Sequence, residues 1–110
     1  MRIGVWVAGM MVGLTTTVWA GEAGWTEPSF ITALEANQQA RFILRLDFKK
    51  SVSGCRNADG FYADYGRSGS ELMYQTALDA LRYERKVQVY VTGVCDFDGD
   101  SAISSVRILP

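Results

Sequence analysis

The sequence feature that most constrains the fold is a helix pattern that passes almost without a loop into a strand pattern, between Ser68 and Cys95. In the first half, apolar residues recur at about 100° per residue and share one side of a helix. They are Met73, Tyr74, Ala77, Leu78, Ala80 and Leu81. From Val87 the period changes to two, which is typical of a half-buried strand. The sequence therefore predicts an amphipathic helix followed directly by a strand, Val87 to Cys95.

Both ends of this helix carry recognisable signals. Ser68 and Glu71 have the spacing of a capping box, in which each side chain accepts a hydrogen bond from the other residue's backbone N–H. Arg82, Arg85 and Lys86 cluster at the other end, where cations complement the partial negative charge of a helix C-terminus. We therefore expect the helix to begin after Ser68 and to end close to Arg82.

Four further segments have strand character, and they set the predicted order of elements. They are Phe30 to Ala36, Arg41 to Phe48, Phe61 to Tyr65 and Ala102 to Leu109. In the last one Ile103 is out of phase with Val106 and Ile108, which predicts a β-bulge near Ser104 and Ser105. The result is a mainly β chain with one helix, in the order β-β-β-α-β-β. This is the order of a five-stranded OB-fold-like barrel, with the helix closing one end.

The N-terminus has the pattern of a secretory signal peptide. Arg2 is followed by an uncharged run to Ala20, and Val18 and Ala20 stand at the −3 and −1 positions of a cleavage site. The alternative is an uncleaved membrane anchor, because about 18 residues can just span a bilayer. We expect residues 1–20 to be removed and residues 21–110 to form one domain without a membrane span. The protein would then be periplasmic or secreted.

The charge balance argues against a nucleic-acid partner. The chain has 11 basic and 12 acidic side chains, and cleavage after Ala20 would remove only Arg2. The remaining net charge of about −2 lacks the clustered basic surface that binding to a phosphate backbone requires.

Cys55 and Cys95 are the two cysteines of the chain. In an oxidising compartment, two cysteines in a small domain are most simply one disulfide bond. The alternative is a reactive thiol, but the chain has no histidine to activate it and no C-x-x-C spacing. We predict a Cys55–Cys95 disulfide.

No residue set in the sequence indicates catalysis, a metal or a cofactor. Asp96, Asp98 and Asp100 alternate, but the loop lacks the obligatory glycine of an EF-hand, and Arg107 stands where a bidentate glutamate is needed. The three carboxylates are expected to lie in solvent at a hairpin turn. Because the chain has no histidine, its serines lack the usual general base of a nucleophilic serine. We therefore expect a protein that is not an enzyme.

Two groups of residues are candidates for recognition. Four aromatic rings offer flat, partly polar surfaces that can stack on sugars or fill protein interfaces, although the same rings could equally complete the core or its rim: Trp25, Tyr62, Tyr65 and Tyr90. Leu72, Thr76 and Tyr83 form a thin second stripe on the helix, away from its predicted core face. A subunit contact in a homo-oligomer is a hypothesis for that stripe.

The pattern as a whole resembles the pertussis-like, subtilase-cytotoxin-type B subunits and the small exported proteins related to them. The resemblance rests on Trp25 before the strand FITALEA, on the run YQTALDALRYERKVQVYVTG and on the closing ISSVRIL. It implies an OB-fold, a ring of five subunits and binding of sialylated cell-surface glycans. By position, Ser29 corresponds to a serine of the toxin glycan pocket, and Val91, beside Tyr90, corresponds to an aromatic residue of the fourth strand. The toxin subunits also carry more local disulfides and a longer C-terminus.

The expected function is therefore that of an exported, non-catalytic binding module that recognises glycans through Ser29, Trp25 and Tyr90. The alternative is a stand-alone periplasmic protein of the same fold, with a structural or protein-binding role and no glycan pocket.

Overall fold

The computed structural model describes residues 22–110, and the predicted signal peptide, residues 1–20, lies outside the described residues. Within these residues, six strands and one helix follow one another. They are β1 (Gly24–Trp25), β2 (Ile31–Asn37), β3 (Arg41–Leu46), β4 (Gly60–Asp64), α1 (Ser70–Arg82), β5 (Val87–Cys95) and β6 (Ser101–Ile108). The prediction of a mainly β chain with a single helix is confirmed for this part of the chain. No helix within it is both long enough and apolar enough to cross a membrane.

The strands form one mixed sheet in the order β1-β5-β6-β4-β3-β2. Neighbouring strands are antiparallel except for β4 and β6, which are parallel. The predicted five-stranded barrel is wrong, because the sheet has six strands and is not closed. The additional strand is β1, which precedes the first predicted strand, Phe30 to Ala36; Pro28 lies between β1 and β2 and has no N–H to donate to a ladder. Beyond β1, the contact with β5 continues as a hydrogen bond from the N–H of Thr26 to the Val89 carbonyl and as an isolated bridge between Ser29 and Val87.

Alternation of side chains along the strands builds the core. Phe42, Leu44 and Leu46 of β3 are fully buried, as are Val87, Val89 and Val91 of β5. Each such side chain contributes about 1.5–3 kcal/mol when it is removed from water. The helix packs on this layer through Ala77 and Ala80, whose small side chains allow close approach. Met73 and Tyr74 are partly buried beside them, and Tyr74 contacts Phe42 edge to face.

The capping-box prediction is wrong. The residue before the helix is Gly69 in a left-handed conformation, with φ of 87°, and no side chain caps the helix. The hydroxyl of Ser70 instead donates to the carbonyl of Asp64, which fixes the start of α1 against the end of β4. At the other end, the N–H of Arg85 donates to the carbonyl of Ala80, the bond of a Schellman motif, and Glu84 takes the left-handed position with φ of 55°.

The predicted bulge is confirmed in β6. Tyr90 pairs with Ser105 and Val91 pairs with Ile103, so that Ser104 is the extra residue. The turn between β2 and β3 contains a left-handed residue, Ala40, with φ of 67°. Asn37 acts through its side chain, which accepts a hydrogen bond from the N–H of Gln39.

The predicted disulfide is confirmed: Cys55 and Cys95 are bonded, with their Cα atoms 5.6 Å apart. It ties the β3–β4 connection to the end of β5, next to the acidic turn. The sequence pattern predicts that the three carboxylates of that turn lie in solvent, but two of them have partners in the fold. Asp96 receives a hydrogen bond from Arg41 at 2.7 Å, and the buried Asp100 receives one from Asn57 at 2.8 Å.

Candidate functional site

Four side chains on β1, β5 and β6 meet on the surface of the sheet that faces away from the core. We call Trp25, Gln88, Tyr90 and Arg107 the outer-face cluster. Their placement follows from the period of two in β5, because the core valines alternate with Gln88 and Tyr90. The register then sets Trp25 opposite Tyr90 and Gln88 opposite Arg107.

The outer-face cluster is held by direct contacts. The rings of Trp25 and Tyr90 meet edge to face, with centroids 5.4 Å apart. The guanidinium carbon of Arg107 lies 3.8 Å from the centroid of the Trp25 ring. Arg107 also donates a hydrogen bond to the Gln88 side-chain oxygen at 3.1 Å, and the Gln88 amide donates to the Thr26 carbonyl at 2.9 Å. The orientation of Arg107 is therefore fixed by stacking on one side and by an amide on the other.

This arrangement leaves Arg107 able to bind a ligand. A guanidinium carries five N–H donors in a planar fork, and Gln88 uses one of them. Carboxylates fit that fork because they accept two parallel hydrogen bonds. Trp25 remains 39% exposed and adds an apolar surface beside the charge. The outer-face cluster thus combines the groups that would bind a carboxylate attached to a partly apolar ring.

Ser29 is not part of this arrangement. Its hydroxyl donates to the Phe30 carbonyl and accepts a hydrogen bond from the N–H of Asp47, each at 3.0 Å. Its exposure is 7%, and its backbone pairs with Val87, three residues along β5 from Tyr90. The structure therefore brings Trp25 and Tyr90 together. The Ser29 hydroxyl instead hydrogen-bonds backbone groups where β2 approaches the end of β3. A glycan contact by Ser29 stays a prediction.

The helix stripe lies on the outer side of α1. Leu72 is 73% exposed and Tyr83 is 68% exposed, so both side chains are accessible to a partner. Thr76 is half-buried and donates to the Leu72 carbonyl at 2.8 Å, so its hydroxyl is used within the helix. A subunit contact through Leu72, Thr76 and Tyr83 stays a prediction.

A concave site lies where α1 begins, between the end of β4, the second half of β5 and the first half of β6. We call this cavity of about 410 Å³ the β4–β6 cleft. Its polar lining includes Tyr62, Arg67 and Ser104, and its apolar lining includes Met73 and Ile103. The sequence pattern marks Tyr62 as a recognition candidate but does not predict the cleft itself. The bulge predicted near Ser104 was the available signal, because bulges often lie next to binding sites.

Tyr62 is the most constrained residue of the cleft. Its exposure is 7%, and the Arg41 guanidinium carbon lies 4.2 Å from its ring centroid. Arg41 is itself held by Asp64 at 2.9 Å and by Asp96 at 2.7 Å. Burial raises the pKa of Tyr62 above its ordinary value, and the negative charge of Asp96 raises it further. The hydroxyl is therefore a neutral donor over the whole physiological range.

Comparison with known proteins gives no match. No protein-family model matches the chain, and no curated protein or solved structure does so either.

Proposed function

We propose that this protein is an exported, non-catalytic binding module of the toxin B-subunit type, periplasmic or secreted, and that its outer-face cluster recognises acidic glycans. The observation that carries the proposal is the Arg107 guanidinium, 3.8 Å from the Trp25 ring and hydrogen-bonded to Gln88. A long side chain that is already ordered loses less conformational entropy when it binds a ligand. An ordered arginine beside exposed aromatic rings suits a carboxylated sugar better than a neutral one.

Two features support the B-subunit relationship. The five longer strands flank α1 in the order β-β-β-α-β-β, as in an OB-fold, whose usual binding partners are oligosaccharides and oligonucleotides. The disulfide fits an oxidising compartment outside the cytosol. With 12 acidic side chains against 11 basic ones, the chain favours an oligosaccharide over a nucleic acid.

A glycan array probed with purified residues 21–110 tests the proposal. We expect signal on glycans that end in a carboxylated sugar, and loss of that signal after chemical reduction of the carboxyl group. Arg107→Lys should lower the signal strongly, because lysine keeps the charge but loses the planar fork. Arg82→Ala is the matched control, since Arg82 is an exposed arginine on the helix, with only a distant partner in Asp79. Absence of binding by the unmodified protein would refute the proposal.

The second candidate function is binding of a protein partner, or self-association, without a glycan site. It is favoured by the exposed Leu72 and Tyr83 on α1 and by Phe97, which is almost fully exposed at the β5–β6 turn. Mass photometry of residues 21–110 at micromolar concentration tests self-association through the helix. A homo-oligomer that Leu72→Lys dissociates would support it. If the protein is a monomer and still binds the carboxylated glycans, only the first function remains supported.

A further inference from the structure

The β4–β6 cleft exists because two strands separate soon after they meet. β4 and β6 pair only at Phe61 with Ser101 and at Tyr62 with Ala102. Beyond that point β6 has its extra residue, Ser104, and the chain after β4 turns into α1. The space between the diverging strands is lined on one side by the start of the helix, which contributes Ser70 and Met73. The cleft is therefore a feature of the sheet's own geometry.

The lining of the cleft contains a buried tyrosine, Tyr62, whose hydroxyl has no hydrogen-bond partner within residues 22–110. The residue as a whole is 7% exposed and lines the cavity. A buried donor left unpaired costs about 1–3 kcal/mol, so such groups are usually satisfied by water or by a ligand. Ser104 is exposed on the same cavity wall, and Arg67 adds a cation at its rim.

The lining excludes several ligand classes. A lipid chain would leave the hydroxyl of Tyr62 unsatisfied in an apolar environment. The lining contains one carboxylate, Asp64, against one cation, Arg67, so a phosphate gains no net attraction there. A metal ion lacks ligands, because residues 22–110 contain no cluster of three or more carboxylate or cysteine side chains that could hold one. A neutral ligand with several hydroxyl groups and an apolar ring face fits both the polar and the apolar walls.

We propose that the β4–β6 cleft is a second binding site, which takes one neutral sugar ring. The volume of about 410 Å³ lies within the range of small-ligand pockets. Tyr62 and Ser104 hydrogen-bond the sugar hydroxyls, while Met73 and Ile103 contact the apolar face of the ring. None of these residues belongs to the outer-face cluster, so the cleft functions independently of acidic glycan recognition by Arg107.

The test is a two-dimensional NMR titration of ¹⁵N-labelled residues 21–110 with glucose, galactose and N-acetylglucosamine, each added alone at millimolar concentrations. At least one of them should shift the amide signals of Ser68, Thr92 and Ser104. Tyr62→Phe should weaken that binding about tenfold, because it removes one hydrogen-bonding hydroxyl and keeps the ring under Arg41. Ser104→Leu, an exposed change that fills the cleft, should abolish it.

Two further results decide between the sites. Trp25→Ala should leave the shifts of the cleft amides unchanged, since Trp25 does not line the cleft. Unchanged amide signals with all three sugars would overturn the proposal, as would equal affinity in Tyr62→Phe. Shifts confined to residues around Trp25 and Arg107 would overturn it too. Thermal unfolding of each variant shows whether it is folded before it is titrated.

Discussion

The buried carboxylate of Asp100 occupies the space that a β-carbon on Gly60 would need. Asp100 is fixed there by Asn57, whose amide donates to its Oδ1 atom at 2.8 Å, so the carboxylate cannot move away without losing a hydrogen bond. The first residue of β4 and the acidic turn are thus packed against each other, and glycine is the residue that fits.

Gly60→Ala should therefore destabilise the protein by about 1–3 kcal/mol, the usual cost of an added methyl group in a packed site. Urea unfolding of residues 21–110 measures the change. Gly66→Ala is the matched control, because a β-carbon there would have no neighbour within 4 Å, and it should change stability by less than about 0.5 kcal/mol. Equal stability of the two variants would contradict the packing described here.

Replacing Glu84 by glycine should stabilise the protein by about 0.5–1 kcal/mol. Glu84 has φ of 55° at the end of α1, a conformation that costs residues with a β-carbon roughly 1–2 kcal/mol and that glycine adopts freely. Thermal unfolding gives the sign. Gln75→Gly, at an exposed position inside the same helix, should destabilise by about 1 kcal/mol. A loss of stability in Glu84→Gly would mean that the Schellman geometry is not maintained in solution.

The Cys55–Cys95 disulfide should be a major source of stability. It joins residues 40 positions apart, and closing a loop of that length contributes about 4 kcal/mol in the chain-entropy description. The double variant Cys55→Ser/Cys95→Ser should lose about that amount in urea unfolding. Reductant should destabilise the original protein by a similar amount and should not affect the double variant. If reductant leaves the original protein unchanged, the bond does not form in solution.

Stability should fall at alkaline pH partly because of Tyr62. Burial raises the pKa of this residue in the folded protein, so the folded state keeps the proton at a pH at which the unfolded chain has lost it. The contribution is fully present below the ordinary tyrosine pKa of about 10, and it is lost as the pH rises through the higher folded-state pKa.

Urea unfolding at a series of pH values from about 9 to 11 spans the ordinary tyrosine pKa and measures this loss. Tyr62→Phe should show a shallower decline. Tyr65→Phe should behave similarly, since burial also raises the pKa of Tyr65. Identical slopes in all three proteins would show that neither phenol is shielded from water in the folded state.

Much of the local structure could be predicted from the sequence because it depends on residues that are close together in the sequence. The helix around Ala77 and Ala80 follows from a period of 3.6, and the bulge at Ser104 follows from one break in a period of two. The partners of Asp96 and Asp100 could not be predicted in this way. Arg41 and Asp96 are 55 residues apart, and their contact depends on how the strands are ordered in the sheet.

The candidate sites show the same limit. Trp25 and Tyr90 can be selected as aromatic residues in polar surroundings, but the position of Arg107 above Trp25 depends on the register of three strands. The β4–β6 cleft depends on where two parallel strands diverge, which no single-strand pattern contains. The six-stranded order of the sheet depends on pairing between distant segments, such as the bridge between Ser29 and Val87.

The pairing of the N-terminal segment with β5 also has a consequence for biosynthesis. Thr26 exchanges hydrogen bonds with Val89, 63 residues later, so the first strand of residues 22–110 pairs with a segment that is synthesised much later. A nascent chain that stops before β5 can form the β2–β3 hairpin but leaves Trp25 and Thr26 without their strand. The edge strand β1 can therefore pair only after β5 has been synthesised.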